Sequence, residues 1–227
     1  MVPKVEFAVT TCKLTSPHVL QAVEVDSSRV VSAREKHKTH WFKKYDVGLT
    51  FLPPIAHATC RALGEYPALN ASIEGEALRL HAGGNLAIAV DLDFEGLVAP
   101  VIQDAHRLSL AQLASDIQEM SKRVRSGKFN PDELKGGTYT LSNSGSFGTL
   151  ITAPIINQPQ VAILSVDGIH KRATVVETAA GDAIAIRPIG ILAQWFDHRA
   201  VDGAYSAAYL RALKRSIETC NRDEALV

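Results

Sequence analysis

The stretch Gly190-Ile191-Leu192-Ala193-Gln194-Trp195-Phe196-Asp197-His198-Arg199-Ala200-Val201-Asp202-Gly203 decides how the 227-residue chain is read. Its first seven residues are mostly apolar and read as a strand that ends at Phe196 and delivers His198 to a loop. From Gly203 onward, Tyr205, Ala208, Tyr209, Ala212, Leu213 and Ile217 fall on one stripe, so a helix follows at once. His198 is thus expected at an element terminus, a rigid place for a catalytic imidazole. An unperturbed imidazole pKa of about 6.5 suits proton removal at neutral pH. Asp202, four residues on, can orient a partner or cap the helix. From these residues alone, a loop histidine and a capping aspartate are equally ordinary surface chemistry.

Working outward, the chain mixes strands and helices. Val19 to Val25 mixes apolar and polar positions as a strand does, and Asp26-Ser27-Ser28 offers oxygens to start a charged surface helix from Arg29 to about His40. Thr50 to Leu63 is Ala-rich and helical, with Pro53 and Pro54 confined to its first turn, where a missing N–H is harmless. Leu86 to Asp93 and Leu97 to Ile102 read as a hairpin turned at Phe94-Glu95-Gly96. Ser109 to Arg125 carries Leu110, Leu113, Ile117, Met120 and Val124 at helical spacing. Thr138 to Ser142, Val161 to Val166 and Thr174 to Thr178 are further strands. There is no strict βαβ alternation, which favours a mixed-sheet α/β or α+β domain over a doubly wound one.

Composition narrows the function classes. Lys plus Arg (24) balance Asp plus Glu (24), so nothing electrostatic points to nucleic acid or an anionic membrane. The chain buries roughly 72 % of its unfolded surface by size scaling, a core that needs no staples. Cys12, Cys60 and Cys220 form no CxxC, which argues against a disulfide scaffold or a thiolate zinc site. The other histidines (positions 18, 37, 40, 57, 81, 106 and 170) form no ligand array, so no metal is expected. Asn143-Ser144-Gly145-Ser146-Phe147-Gly148 is not a G-x-S-x-G elbow, which disfavours a Ser-His-Asp hydrolase. With no apolar run of membrane length and no signal-peptide pattern in Met1 to Glu6, the expected location is cytoplasmic, or the mitochondrial matrix in a eukaryote.

Five ordered motifs then converge. His198-Arg199-x-x-Asp202-Gly203, preceded by Asp197 and followed by an Ala-rich helix, resembles the active-site signature of the dihydrolipoamide acyltransferases. These are the core components of 2-oxo acid dehydrogenase complexes, within the chloramphenicol acetyltransferase-like superfamily. Gly137 to Gly148 (GTYTLSNSGSFG) and Thr152 to Leu164 (TAPIINQPQVAIL) resemble two further segments of that family. Tyr66 to Ala71 (YPALNA) and Gly96 to Ile102 (GLVAPVI) fit upstream, in the expected order.

The resemblance implies a two-layer α/β sandwich with a mixed β-sheet, forming one acyltransferase catalytic domain over 1–227. It implies acyl transfer between coenzyme A and a dihydrolipoyl thiol, with the lipoyl group carried on another domain or chain. His198 matches the general base, Ser142 the hydroxyl that stabilises the tetrahedral oxyanion, and Asp202 a residue that holds geometry through an ion pair. Gly203 allows the tight start of the helix. Asn143, Gly145 and Phe147 are expected along the coenzyme A channel, with core packing as the alternative for Phe147. Asn157 and the LVAPVI strand stand between channel lining and structure, and Trp195 between core and pocket. The family forms homotrimers in which the His of one chain faces the Ser-bearing loop of its neighbour, and trimers build cubic or dodecahedral cores that meet dehydrogenase components through domains not found in this chain. The apolar end Ala225-Leu226-Val227 is either a contact or a frayed terminus. The chain departs from the family in one respect: Val5 to Leu14 fits its Arg-containing opening helix poorly, and Arg29 is the first arginine, so Asp202 has no obvious cation. For the dihydrolipoyl acyltransferase that the resemblance implies, an acetyl or branched-chain acyl group is expected over succinyl; a silent structural core of the same complex, or acyl transfer to a non-lipoyl acceptor, are the competing readings.

Overall fold

The computed structural model describes residues 15–219. Cys12, Cys220, the segment Val5 to Leu14 and the end Ala225-Leu226-Val227 lie outside the described residues. Ten strands run β1 (His18–Asp26), β2 (Ala71–Glu74), β3 (Ala77–Leu80), β4 (Leu86–Asp91), β5 (Leu97–Val98), β6 (Val101–Ile102), β7 (Tyr139–Asn143), β8 (Ala162–Val166), β9 (His170–Thr178) and β10 (Gly181–Asp197). The α-helices among the described residues are α1 (Ser28–Tyr45), α2 (Leu52–Glu65), α3 (Leu110–Arg125) and α4 (Gly203–Thr219).

One mixed sheet has the order β1-β10-β8-β7-β4-β5, with β6 also on β4 and β9 on β10. Only β4/β7 and β7/β8 are parallel; β2 and β3 form a separate hairpin. The helices pack on one another in the order α1, α4, α2, α3 and onto the sheet, giving two layers. Between them lies a core that includes Leu69, Leu86, Leu141, Leu164, Phe196 and Tyr209.

Local chemistry explains the boundaries. Ser109 and Gln112 form a reciprocal capping box that starts α3, and all five expected stripe residues of that helix are buried. The helix α1 runs five residues beyond the expected His40 because Trp41, 1 % exposed, anchors a second cluster with Val47, Leu49 and Leu110. The expected strand Leu97 to Ile102 is instead two strands in one register on β4, since Pro100 has no N–H to give the ladder; its carbonyl still accepts from Ile88 N at 3.0 Å. The strand β10 is far longer than the expected Gly190–Phe196. Its second half sits between β1 and β8, while its first half pairs only with β9 as an exposed hairpin. Exposed Ile184 and Ile186 carry no burial pattern that a sequence could reveal.

Cys60 is buried in α2, and burial pushes its thiol up to about 12. Thiolate is the reactive form. Iodoacetamide at pH 8 is therefore expected to leave Cys60 unmodified in the native protein and to label it after unfolding, read by peptide mass mapping; native labelling would contradict this burial.

Candidate active site

The strand register places the expected site residues in two groups at opposite ends of the sheet. Ser142 pairs with Ser165 on β8, and Ser165 with Ala193 on β10. His198 lies five residues beyond Ala193 along β10, a strand antiparallel to β8. That is about 17 Å along the strand and about 10 Å across two strand spacings, so roughly 19 Å separates Ser142 from His198 of the same chain.

At the first end, β10 delivers Asp197, His198 and Arg199. His198 is exposed, its ring 5.8 Å from that of Phe196, and its backbone N–H donates to Pro17 O at 3.0 Å. Asp197 is 1 % exposed and accepts from the Arg199 guanidinium at 2.7, 3.0 and 3.2 Å and from Arg199 N at 2.9 Å. Burial alone raises the Asp197 carboxyl, but hydrogen bonds from Arg199 and Ser16 outweigh it and hold it below the usual carboxylate range. Buried Ser16 also accepts from Gln158 Nε2 at 2.5 Å, and His18 sits between Ser16 O at 2.7 Å and Ile156 N at 3.3 Å. Ser16-Pro17-His18 and the TAPIINQP segment are thereby tied beneath the His198 loop.

Asp202 is exposed, and its Oδ1 accepts from Tyr205 N at 2.8 Å, so it caps α4. The arginine of this loop pairs with Asp197, not Asp202. Gly203 has no left-handed backbone; a Cβ there would stand 3.2 Å from Gln21 Nε2, so close approach is what the glycine permits. Asn157 is exposed at this same end, in the segment that leads into β8, and is not brought to Ser142. Trp195 is half-buried, tilted against His18 at 5.5 Å, so it belongs wholly to neither core nor pocket.

At the other end, β7 delivers half-buried Ser142, and a short 3-10 turn over Gly145–Phe147 follows. Asn143 Oδ1 accepts from Gly145 N at 3.3 Å, and Ser144 N donates to Val166 O at 3.1 Å. The loop is fastened by Asp167, 2 % exposed, which sequence reading missed. Its Oδ1 accepts from Thr149 and Thr152 hydroxyls at 2.7 Å each and its Oδ2 from Ser165 at 3.0 Å. A Cβ on Gly145 would meet Asp167 O at 3.1 Å. The signal was the alternation Ser165-Val166-Asp167 at a strand end, polar residues on one face where apolar ones would serve a core.

A groove of about 860 Å³ opens beside this loop, lined by Asn143, Gly145 and Ser146 and, from α3, by Gln118, Lys122 and Arg125. Phe147 is not among its walls. It is 59 % exposed, neither core nor groove, and its ring lies 6.5 Å from that of Phe94. Among the described residues no group of three or more His, Cys, Asp or Glu could hold a metal ion, and no helix is long and apolar enough to cross a membrane.

This architecture and these motifs have known counterparts. The chain is 39 % identical over 208 residues to the dihydrolipoyllysine-residue acetyltransferase component of the pyruvate dehydrogenase complex of Corynebacterium glutamicum, covering 91 % of this chain and 31 % of that one. It is 40 % identical over 199 residues to the succinyltransferase component of the 2-oxoglutarate dehydrogenase complex of Bartonella vinsonii subsp. berkhoffii, covering 88 % and 47 %. The chain thus spans less than half the length of these relatives. Its fold matches the cubic core of a pyruvate dehydrogenase multienzyme complex with TM-score 0.89 at 30 % identity, covering 98 % of this chain and 89 % of that one. It matches Azotobacter vinelandii dihydrolipoamide acetyltransferase equally, with TM-score 0.89 at 29 % identity and the same coverage; a serine, a histidine and an asparagine have been investigated in that enzyme's catalytic mechanism. Chloramphenicol acetyltransferase shares the fold alone, with TM-score 0.58 at 13 % identity and coverage of 93 % and 94 %. The family described as 2-oxoacid dehydrogenases acyltransferase (catalytic domain) matches residues 5–225, and the chain belongs to it.

Proposed function

We propose that the chain transfers an acyl group between coenzyme A and a dihydrolipoyl thiol at a site shared by two copies, His198 from one and Ser142 from the other. The observation that carries this is their placement at opposite ends of one sheet, with His198 exposed. In the Azotobacter enzyme the investigated histidine and asparagine stand four apart, the spacing of His198 and Asp202 here. A ring of copies, each offering one end to its neighbour, is a heterologous closed arrangement; a homotrimer satisfies it, and a cubic or dodecahedral core extends it.

The chemistry follows from the groups. A thiol near pKa 8.5 is mostly protonated at neutral pH, and its thiolate is the nucleophile. His198 takes the proton as the coenzyme A sulfur attacks the carbonyl carbon of the acyl-dihydrolipoyl thioester. The carbonyl oxygen becomes an oxyanion that accepts a hydrogen bond from the Ser142 hydroxyl. Collapse expels the dihydrolipoyl sulfur, which takes the proton back from His198. The 860 Å³ groove suits coenzyme A: its charged walls are mixed, but Asp167 is buried and bonded to hydroxyls, so Lys122 and Arg125, facing Asp46, offer cations to phosphates while Asn143 and Gly145 lie beside Ser142. Asp202 supports His198 by fixing the start of α4. A short uncharged acyl group, acetyl or branched, fits better than succinyl, because residues 142–152 contain no Lys, Arg or His to pair with a second carboxylate. The lipoyl group comes on another domain or chain, and the dehydrogenase components are the partners of such a core.

Mixing Ser142→Ala with His198→Ala chains tests the shared site. Each alone is expected to be inactive, whereas random mixed assemblies regain about a quarter of wild-type thioester exchange, since one interface in four unites both intact residues. Mixed assemblies as inactive as their parents would refute a site built across copies. Comparing acetyl-, isobutyryl- and succinyl-coenzyme A in the same assay decides the acyl class.

A further inference from the structure

The turn between β4 and β5 holds a feature that the acyl-transfer reading does not use. Phe94 is 87 % exposed, and its backbone lies in the left-handed region, with φ 70°. Asp93 before it has φ 53°. A bulky aromatic residue in that region is uncommon and unfavourable, and Asn or Gly would relieve it. Its ring touches no core; its aromatic neighbour is Phe147, itself 59 % exposed, tilted at 59°. Two apolar rings are thus held in water on two different elements.

Their position is specific. Strand β4 runs parallel to β7 with Ala89 beside Ser142, so the turn at Phe94 and the loop at Phe147 emerge from the same end of the sheet, each five residues past that pair. Five residues of extended chain span at most about 17 Å. The loop after Ser142 therefore has two different flanks. Gly145 and Ser146 face a groove of mixed charge, with Lys122 and Arg125 beside Asp46 and the buried, hydroxyl-bonded Asp167, whereas Phe147 faces a turn whose charged residues, Asp91, Asp93 and Glu95, are all acidic. A polyanion finds cations only on the first flank and is repelled from the second. A neutral, sulfur-bearing aliphatic chain loses nothing on the acidic flank and gains contact with ring faces and edges.

We propose that Phe94 and Phe147 form an aromatic clamp for the lipoyl-side substrate, gripping the uncharged aliphatic dithiol arm of a dihydrolipoyl amide (acyl donor in the forward direction, acceptor in the reverse) while coenzyme A enters from the groove. This rests on the acyl-transfer reading above and adds residues that select one substrate over the other. The test compares wild type with Phe94→Asn, which suits the left-handed turn, and Phe94→Tyr, which keeps the ring. Steady-state rates with free dihydrolipoamide and acetyl-coenzyme A are measured with sedimentation velocity and thermal unfolding. Phe94→Asn is expected to raise the KM for dihydrolipoamide about five- to tenfold, to leave that for acetyl-coenzyme A within about twofold, and to melt no lower than wild type. Phe94→Tyr keeps wild-type values. An unchanged dihydrolipoamide KM, a parallel rise for acetyl-coenzyme A, or dissociation of the assembly would overturn the clamp, the last showing a contact between copies instead. If wild type moves no acyl group to dihydrolipoamide, the acyl-transfer reading fails by itself. Calorimetric binding of lipoamide then decides the clamp: weaker binding to Phe94→Asn supports it, and equal binding removes it.

Discussion

His198→Ala is expected to slow thioester exchange by at least about 100-fold while leaving the fold intact. The two halves of this expectation have separate causes. General base catalysis is typically worth about 10² to 10⁴-fold, and an alanine methyl cannot hold the thiol proton. The fold survives because the ring is exposed and its aromatic contact is a tilted approach to Phe196 at 5.8 Å. The interaction that shapes the loop, His198 N–H to Pro17 O at 3.0 Å, is made by the backbone and persists in alanine. The change should therefore appear in kcat with an unaltered melting transition. Ser142→Ala costs about 2.7 to 4 kcal/mol of transition-state stabilisation if its hydroxyl is an oxyanion donor. A thiol-coupled assay on wild type and His198→Ala decides the matter: similar rates would mean that another group takes the proton.

Much of this arrangement was legible in the sequence because apolar periodicity and capping chemistry are local. Ser109 with Gln112, the prolines at the start of α2 and the α4 stripe each announce themselves within a few residues. The strand–loop–helix passage around His198 was readable for the same reason. What sequence could not show depends on partners distant in the chain. The first half of β10 follows β9 into solvent, leaving Ile184 and Ile186 exposed. Pro100 splits a ladder whose register is continuous, which no local pattern reveals. Phe147 was weighed between core and channel, yet its actual neighbour is Phe94, fifty-three positions away. Asp202 stood between an ion pair and a helix cap; within this chain it caps α4, and the arginine of its loop, Arg199, pairs with Asp197. The separation of His198 from Ser142 is a matter of register across three strands, and only the sheet discloses it.

That ion pair gives the second large effect. Arg199→Met should destabilise the protein by about 2 to 3 kcal/mol at pH 7, somewhat below the 3 to 5 kcal/mol typical of breaking a fully buried pair because the Arg199 side chain is partly solvated. Methionine preserves much of the aliphatic length and removes the charge, so Asp197, 1 % exposed, is left without its cation. The pH dependence has a definite sign. In wild type the Asp197 carboxyl lies below its ordinary 3.8, so its contribution is fully present above that value and is lost as pH falls through the lowered folded pKa. Without the guanidinium, only Ser16 and the backbone N–H of position 199 still oppose burial, so the carboxyl rises from its wild-type position and the charged form loses most of its support at neutral pH, a loss that protonation removes. The penalty of the substitution is thus greatest near pH 7 and shrinks as pH falls toward 4. Denaturant unfolding at both pH values, at matched protein concentration so that assembly does not shift the midpoint, reads the difference. A penalty equal at the two pH values would show that Asp197 does not depend on Arg199 for its charge. Activity should fall as well, since Asp197 and Arg199 bracket His198 and together with Ser16 and Pro17 set the turn that carries its imidazole.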